Sequence, residues 1–454
     1  MKGVKPMLAL LPVMICYILS LDKPFFWDTM HLASAQANWF HEHGLSSLLL
    51  PDEFDSGHPP LTGWLLALTW KLLGKGLIQS HLMMLPFLVT ALWQMMLILR
   101  HYFPEEYGYL AFLFFLNPIL LTQAMLVSPD IILFAGFFLT LHGILSQRDI
   151  KILAGSIILA TVSLRGMSCV AALAVFGLVH STRTGALRQL AIYLPSGILA
   201  SIFLWYHYQA KGWIGYHPDS PWAYSFAPAG LRGLLRNIAV TAWRLCDQGM
   251  VFLWLPPLWI TLKKGPGIWS ARTRQLLALS LILFAFLVVP QFFYRALLMH
   301  RYLFPFISAL TLAAFSIIRD HEIPVRRYVT LSSLLVVSGF FWIYPDHISK
   351  GWDVMPLHYG YYGARKEMLD KMGELNINPA QTGSNFPSEM PSTITDLGVD
   401  SRAYAPLDLS SNRYVLYTNV SNDFTKEELQ QLRTWKVAAS TCRWPVRFVL
   451  YRKP

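Results

Sequence analysis

Four ionisable side chains crowd into 51-PDEFDSGHPPLTGWLLALTW-70, namely Asp52, Glu53, Asp55 and His58, just before two prolines and an apolar run. Carboxylate and imidazole groups accept and return protons near neutral pH when suitably placed, so the set suits acid/base chemistry. Gly57 permits close backbone approach, and Pro59 and Pro60 hold the chain extended before a helix begins. His58 is thereby aimed in a defined direction with Asp55 in reach. The plainer account is a turn that launches the next helix. Asp28, in 25-FFWDTMHLASAQANWFHEHG-44, is either a helix N-cap or a catalytic carboxylate at a membrane surface. Asp130, in 126-LVSPDIILF-134, carries the same pair of readings, with Ser128 as the alternative cap.

Arginines complete the chemical inventory. Arg165 interrupts apolar sequence in 161-TVSLRGMS-168, and Arg295, His300 and Arg301 do so in 295-RALLMHRYLFPF-306. Each can snorkel to lipid phosphate or bind a substrate phosphate through its two-pronged donor set. The sequence has no zinc motif, P-loop or dinucleotide fingerprint. The carboxylates leave room for a divalent metal, although no ligand spacing demands one. Carboxylates, histidine and arginines together suit acid/base chemistry on a phosphorylated, membrane-embedded substrate.

The elements that must position these groups are membrane helices. Of 454 residues only 14% are charged, against about a quarter in soluble proteins, and the mean hydropathy is +0.41. Blocks such as 82-LMMLPFLVTALWQMMLIL-99 approach the roughly 20 residues that span a bilayer. The net charge of +11 sits in short Lys/Arg clusters between apolar blocks, a positive-inside pattern and not a nucleic-acid surface. Cys16, Cys169, Cys246 and Cys442 form neither a disulfide framework nor a metal pair.

Eleven spans are expected, near 6–21, 80–99, 108–126, 130–146, 150–164, 168–180, 188–207, 238–261, 275–291, 302–318 and 327–344. The apolar run 60–74 is read as an interfacial helix with snorkelling Lys71 and Lys75. That choice makes the links 146–151, 181–188, 263–274 and 319–327, with Lys2 and Lys5, the basic cytoplasmic side. It places the loop 22–79, Asp130, Arg165, the turn 291–301 and the tail outside, with the N-terminus inside. Residues 1–344 are thus expected as a polytopic α-helical unit and 345–454 as a small extracytoplasmic α/β domain. Within the tail, 412-NRYVLYTNV-420 and 445-PVRFVLY-451 read as strands, and 425-TKEELQQLRTW-435 as a helix capped by Thr425 and Glu428. The sequon at Asn419 reads as a polar loop.

An acid after the first span, the GHPPL turn at Gly57–Leu61, S-P-D at Ser128–Asp130 and R-Y-L at Arg301–Leu303 together resemble one family. It is the GT-C glycosyltransferases related to protein O-mannosyltransferases and lipid A aminoarabinose transferases, and the resemblance runs over about 6–344. It implies transfer of a sugar from a polyprenyl-phosphate donor to a lipid, glycan or protein acceptor at the outer face of a bacterial inner membrane, with no required cofactor. It also implies Asp28 as base, Asp130 and His58 as orienting groups, and Arg165 with Arg301 and Tyr302 near the donor phosphate. Many relatives have Asp-Glu where this chain has Asp28-Thr29, which makes Asp55 or Glu53 a substitute for the missing glutamate. The competing class is a transporter or lipid flippase, favoured by Arg244 and Asp247 inside an apolar stretch.

Overall fold

The computed structural model describes residues 6–180, 185–217, 223–265, 269–295, 298–342, 344–345, 350–421 and 423–454. Lys2 and Lys5, and parts of the links 181–188 and 263–274, lie outside them. Every expected span carries helix. The interval 80–99 is Leu77–Tyr102, 130–146 is Pro129–Leu145, 150–164 is Asp149–Val162, and 168–180 is Leu164–His180. The run 60–74 is the helix Leu61–Leu73.

Among the described residues, four helical stretches are able by length and composition to cross a membrane: Leu77–Tyr102, Leu190–Lys211, Ala271–Phe293 and His300–Asp320. Two bent pairs raise that number to six: Tyr107–Phe115 with Pro118–Ala124 turns by 68°, and Leu231–Cys246 with Val251–Lys264 by 99°. The first break has a local cause, since Pro118 starts a new helix whose Ile119 amide is capped by Asn117 Oδ1 at 3.0 Å. His300–Asp320 is central, with 89% of its apolar window buried, whereas Leu190–Lys211 has only 17% buried. The latter turns Leu194, Ile198, Ile202 and Trp205 outward, a lipid-facing pattern.

Local sequence aligns the helix starts that matter. Ser128 Oγ accepts from the Asp130 amide at 3.1 Å and Pro129 fills the first helical position, so S-P-D is a helix start with Asp130 in its first turn. Asp149–Val162 and Leu164–His180 fold back at Ser163, whose Oγ accepts from Gly166 N at 3.1 Å. A Cβ at Gly166 would stand 1.9 Å from the Leu159 carbonyl oxygen, so only glycine lets this corner close. Arg165 sits on that corner, at the same end of the bundle as Asp130. The basic residues Arg148, Lys151, Lys263, Lys264, Arg272 and Arg319 lie at or just past the opposite ends of the helices.

The tail forms a five-stranded sheet of order β2-β1-β3-β5-β4, from β1 (Thr382–Ser384), β2 (Ala405–Pro406), β3 (Tyr414–Thr418), β4 (Lys436–Arg443) and β5 (Val446–Arg452). β1 pairs parallel with β2 and β3, and β5 runs antiparallel to β3 and β4. The helix Lys426–Leu432 begins with a full capping box between Thr425 and Glu428. Asn419 ties the sheet, donating to Pro445 O and accepting from Arg447 N, both at 2.9 Å. The helix Gly360–Glu374 packs on β4 and β5. Their shared core contains Phe26, Trp27 and Leu126 from the helical part, so the two regions share apolar contacts.

Candidate active site

Asp28 sits on a turn built by its neighbours. Trp27 takes φ 59°, and Thr29 Oγ1 both accepts from Phe26 N at 3.0 Å and donates to Phe26 O at 2.7 Å. The tail grips this turn from outside. The Phe26 ring stacks on His358 at 4.8 Å, and Trp27 meets Phe386 edge-on at 5.0 Å. Phe25 N donates to Thr395 O at 2.8 Å and Ser34 Oγ to Ile394 O at 2.6 Å.

Arg301 is the hub of the site. Its Nη2 pairs with Asp28 Oδ2, its Nε lies 3.4 Å from Asp130 Oδ2, and its Nη1 lies 2.9 Å from Asp353 Oδ2. Arg165 Nη1 takes the other Asp130 oxygen at 2.7 Å, and its guanidinium lies 4.0 Å over the Tyr302 ring. Three widely separated stretches of sequence therefore converge on one guanidinium. The Arg301 and Asp353 side chains are 3% and 1% exposed, while Arg165 and Asp28 are 21% and 16% exposed. The second pair faces the open space. Three carboxylates against two guanidiniums leave one net negative charge when all are ionised. Asp353 is the member pushed towards protonation: burial raises its carboxyl to about 6, Arg301 opposes, and Asp28 and Asp130 push the same way as burial.

Two adjoining cavities open here. A tight one of about 30 Å³ is lined by Asp28, His58, Ser128, Asp130, Arg165, Arg301 and Tyr302. A larger one of about 330 Å³ shares Asp28, His58, Arg165 and Tyr302 and continues between Leu164, Phe286, Leu287, Pro290 and Met299. Phe286 is itself 36% exposed, so the apolar lining reaches the lipid-facing surface. His58 Nδ1 is buried with no hydrogen bond. Burial, reinforced by Arg165 and opposed by Asp55 and Asp130, holds this imidazole down at about 4 and therefore neutral near pH 7.

The remaining sequence candidates lie apart from the cavity. Asp55 Oδ1 accepts from Gly57 N at 2.8 Å and its Oδ2 lies 3.1 Å from His207 Nε2, so both oxygens are committed to holding the turn. Gly57 takes φ +70°, and a Cβ there would stand 2.4 Å from Gly215 O. Glu53 is exposed and lines neither cavity. Behind Arg301, His300 Nε2 lies 2.9 Å from Asp247 Oδ2, and Tyr344 OH also donates to Asp247. Lys350 is buried beside this group over the Tyr344 and Trp352 rings, and burial lowers its ammonium to about 8 against the pull of Asp247. Asp353, His207 and Asp247 are the polar partners that sequence reasoning did not connect to the site or to the turn. For Asp353 the one local signal was an acid between apolar residues in 351-GWDVM-355. Among the described residues no cluster of three His, Cys, Asp or Glu is arranged to hold a metal ion.

No family model matches the chain, and no curated protein sequence matches it. Solved structures do. ArnT from Cupriavidus metallidurans bound to undecaprenyl phosphate superposes with a TM-score of 0.53 at 12% identity, over 98% of this chain and 97% of that one. The same protein in the apo state gives 0.52 and 12%, over 98% and 97%. The likeness is one of fold, extends through the tail, and agrees with the GT-C-like architecture expected from the motifs.

Proposed function

We propose that this chain is a membrane glycosyltransferase that moves a sugar from a polyprenyl-phosphate donor to an acceptor hydroxyl. The observation that carries this reading is Asp28 and Asp130 held on Arg301 and Arg165 at the polar end of a cavity with an apolar exit to lipid. An isoprenoid chain suits the wall of Leu164, Phe286, Leu287 and Pro290, and its phosphate then meets Arg165. The fold neighbour's own ligand, undecaprenyl phosphate, is of this class.

Asp28 is the base in this proposal. Its Oδ2 is held by Arg301, which leaves Oδ1 outside the ion pair to take the proton of the acceptor hydroxyl. The hydroxyl oxygen attacks the anomeric carbon as the bond from that carbon to the phosphate oxygen breaks. The electron pair leaves with the lipid phosphate, and the carbon inverts in one displacement. General-base assistance of this kind contributes roughly 10²–10⁴-fold. Arg165 and Arg301 meet the charge that grows on the departing phosphate. Asp130 orients both guanidiniums, and neutral His58 offers a hydrogen-bonding ring to donor or acceptor.

The site and the basic links lie at opposite ends of the helices, which supports an outer-face site, a cytoplasmic N-terminus and an extracytoplasmic unit 345–454 on a catalytic unit 1–344. A bacterial inner membrane is the setting in which such a donor is available. The second reading, a transporter or flippase, is favoured by the 99° break beside Asp247.

The test uses purified protein in nanodiscs with a panel of polyprenyl-phosphate sugars, following release of polyprenyl phosphate by the native chain and by Asp28→Asn. Release with one donor that Asp28→Asn abolishes, with donor binding kept, is the expected result. Release unaffected by the substitution sinks the assignment of the base. Donor movement across the bilayer without release would establish the second reading.

A further inference from the structure

Positive charge also gathers away from the reaction cavity. Arg232 and Arg236 stand one turn apart on the helix Leu231–Cys246, and Arg295 follows the last turn of Ala271–Phe293. The three line one open cavity of about 550 Å³ with Tyr224, Gly230 and Gly233, and among the described residues no carboxylate lines it. Arg236 Nη2 donates to Arg295 O and lies 3.2 Å from Asn237 Oδ1, while the Arg295 guanidinium lies 5.5 Å from the Tyr224 ring centre. These contacts orient the guanidiniums and use few of their five donors each. Arginines that merely reach for water at a membrane edge diverge, because like charges repel. Here they converge on one space.

The space is kept open by the sequence. A Cβ at Gly230 would meet nothing within 4 Å, and one at Gly233 only the Ala229 side chain. Gly230 also leaves the helix start without a side-chain cap, so amides of the first turn add to the donor set. The same helix exposes Leu231, Leu235 and Ile238 beside the arginines. Cationic and apolar groups thus alternate along it, as a lipid headgroup followed by its acyl chains would require. The wall between the two cavities is a single layer. Tyr294 and Phe226 line the reaction cavity, while their neighbours Arg295 and Tyr224 line this one, with Pro228 bridged to Tyr294. The two cavities are therefore neighbours across one wall.

We infer that the Arg232–Arg236–Arg295 pocket binds the phosphate of an anionic phospholipid headgroup, docked beside the reaction cavity. This holds whether or not the cavity transfers a sugar, because the test reads binding alone. The full chain is purified in detergent, and its affinity for phosphatidylglycerol, phosphatidylcholine and inorganic phosphate is measured by native mass spectrometry. Two variants are compared: Arg232→Gln/Arg236→Gln/Arg295→Gln, and Gly230→Leu, which keeps all three charges and fills the space. Phosphatidylglycerol should bind the native chain more tightly than phosphatidylcholine, and roughly tenfold or more tighter than it binds either variant. Monodisperse elution and unchanged polyprenyl-phosphate binding serve as folding controls. Equal retention of phosphatidylglycerol by native chain and variants overturns the site. Inorganic phosphate binding as tightly as the lipid overturns the lipid assignment and leaves a free-anion site.

Discussion

Asp353→Asn tests whether the third carboxyl at the hub holds its charge at a cost. In the unfolded chain Asp353 titrates at its ordinary 3.8, and in the folded chain at about 6. Between those values the folded state holds more protons than the unfolded one, so stability falls as pH rises through the window and levels off above it. At roughly 1.4 kcal/mol per pH unit, keeping the charge in place near pH 7.5 costs about 3 kcal/mol. Asparagine mimics the protonated acid and keeps a carbonyl oxygen facing Arg301 Nη1, which lies 2.9 Å from the native Oδ2. The variant should therefore be at least as stable as the native chain near pH 7.5, by up to about 3 kcal/mol. Its unfolding temperature should also fall less than the native one across pH 4 to 6. Asp353→Ala is the reference, since it strands a buried donor at a cost of about 1–3 kcal/mol. Thermal unfolding in detergent across that range reads all three. If Asp353→Asn loses as much as Asp353→Ala at pH 7.5 while keeping the native pH slope, the buried charge on Asp353 carries no such penalty and the reasoning fails.

His58 gives the opposite sign. Its pKa of about 4 lies below the ordinary 6.5, so its contribution to stability is lost as pH falls from 6.5 towards 4, and His58→Gln should flatten that acid limb in the same unfolding series. Gly57→Ala combines a left-handed backbone with a 2.4 Å approach to Gly215 O. It should cost roughly 1–3 kcal/mol or more in unfolding experiments, and a melt matching the native one would refute the close packing. Asp55→Ala strips His207 of its buried partner and should destabilise by roughly 3–5 kcal/mol, with polyprenyl-phosphate release per folded molecule retained. Loss of turnover without loss of stability would return Asp55 to the chemistry. With the exposed thiols Cys246 and Cys442 replaced by serine, a cysteine at Gly265 should be labelled only from the cytoplasm; labelling from outside would reverse the orientation.

What was legible in the sequence was what short stretches decide. S-P-D specifies its own helix start, GHPPL its own turn, and Thr425 with Glu428 its own cap. Apolar blocks announced the long helices, though not Gln36–His43, whose sequence is polar. The lengths of those helices, and the bend beside Asp247, depend on how neighbours pack and left no clear trace in hydropathy, whereas the bend at Asn117 is set locally by Asn117 and Pro118. Asp28, Asp130, Arg165, Arg301, Tyr302 and His58, each singled out by its own stretch of sequence, meet at the cavities. Roles set by remote partners were not. Asp55 drew attention as an acid beside a histidine, yet the histidine it engages is His207, 152 positions away, and not His58. Asp353 had no motif to mark it because its contact with Arg301 depends on how the tail folds back.

That fold-back bears on how such a chain can change over time. The turn that presents Asp28 is clamped by Phe386, His358, Thr395 and Ile394, and the hub takes one of its acids from residue 353. A chimera joining this helical part to a relative's tail would therefore inherit a loosened acid and an unmatched guanidinium, however well both halves folded. Substitutions at Phe26 or Trp27 should be tolerated only alongside matching changes near 358–361 and 386, so the turn that carries Asp28 and the tail are bound to diverge together.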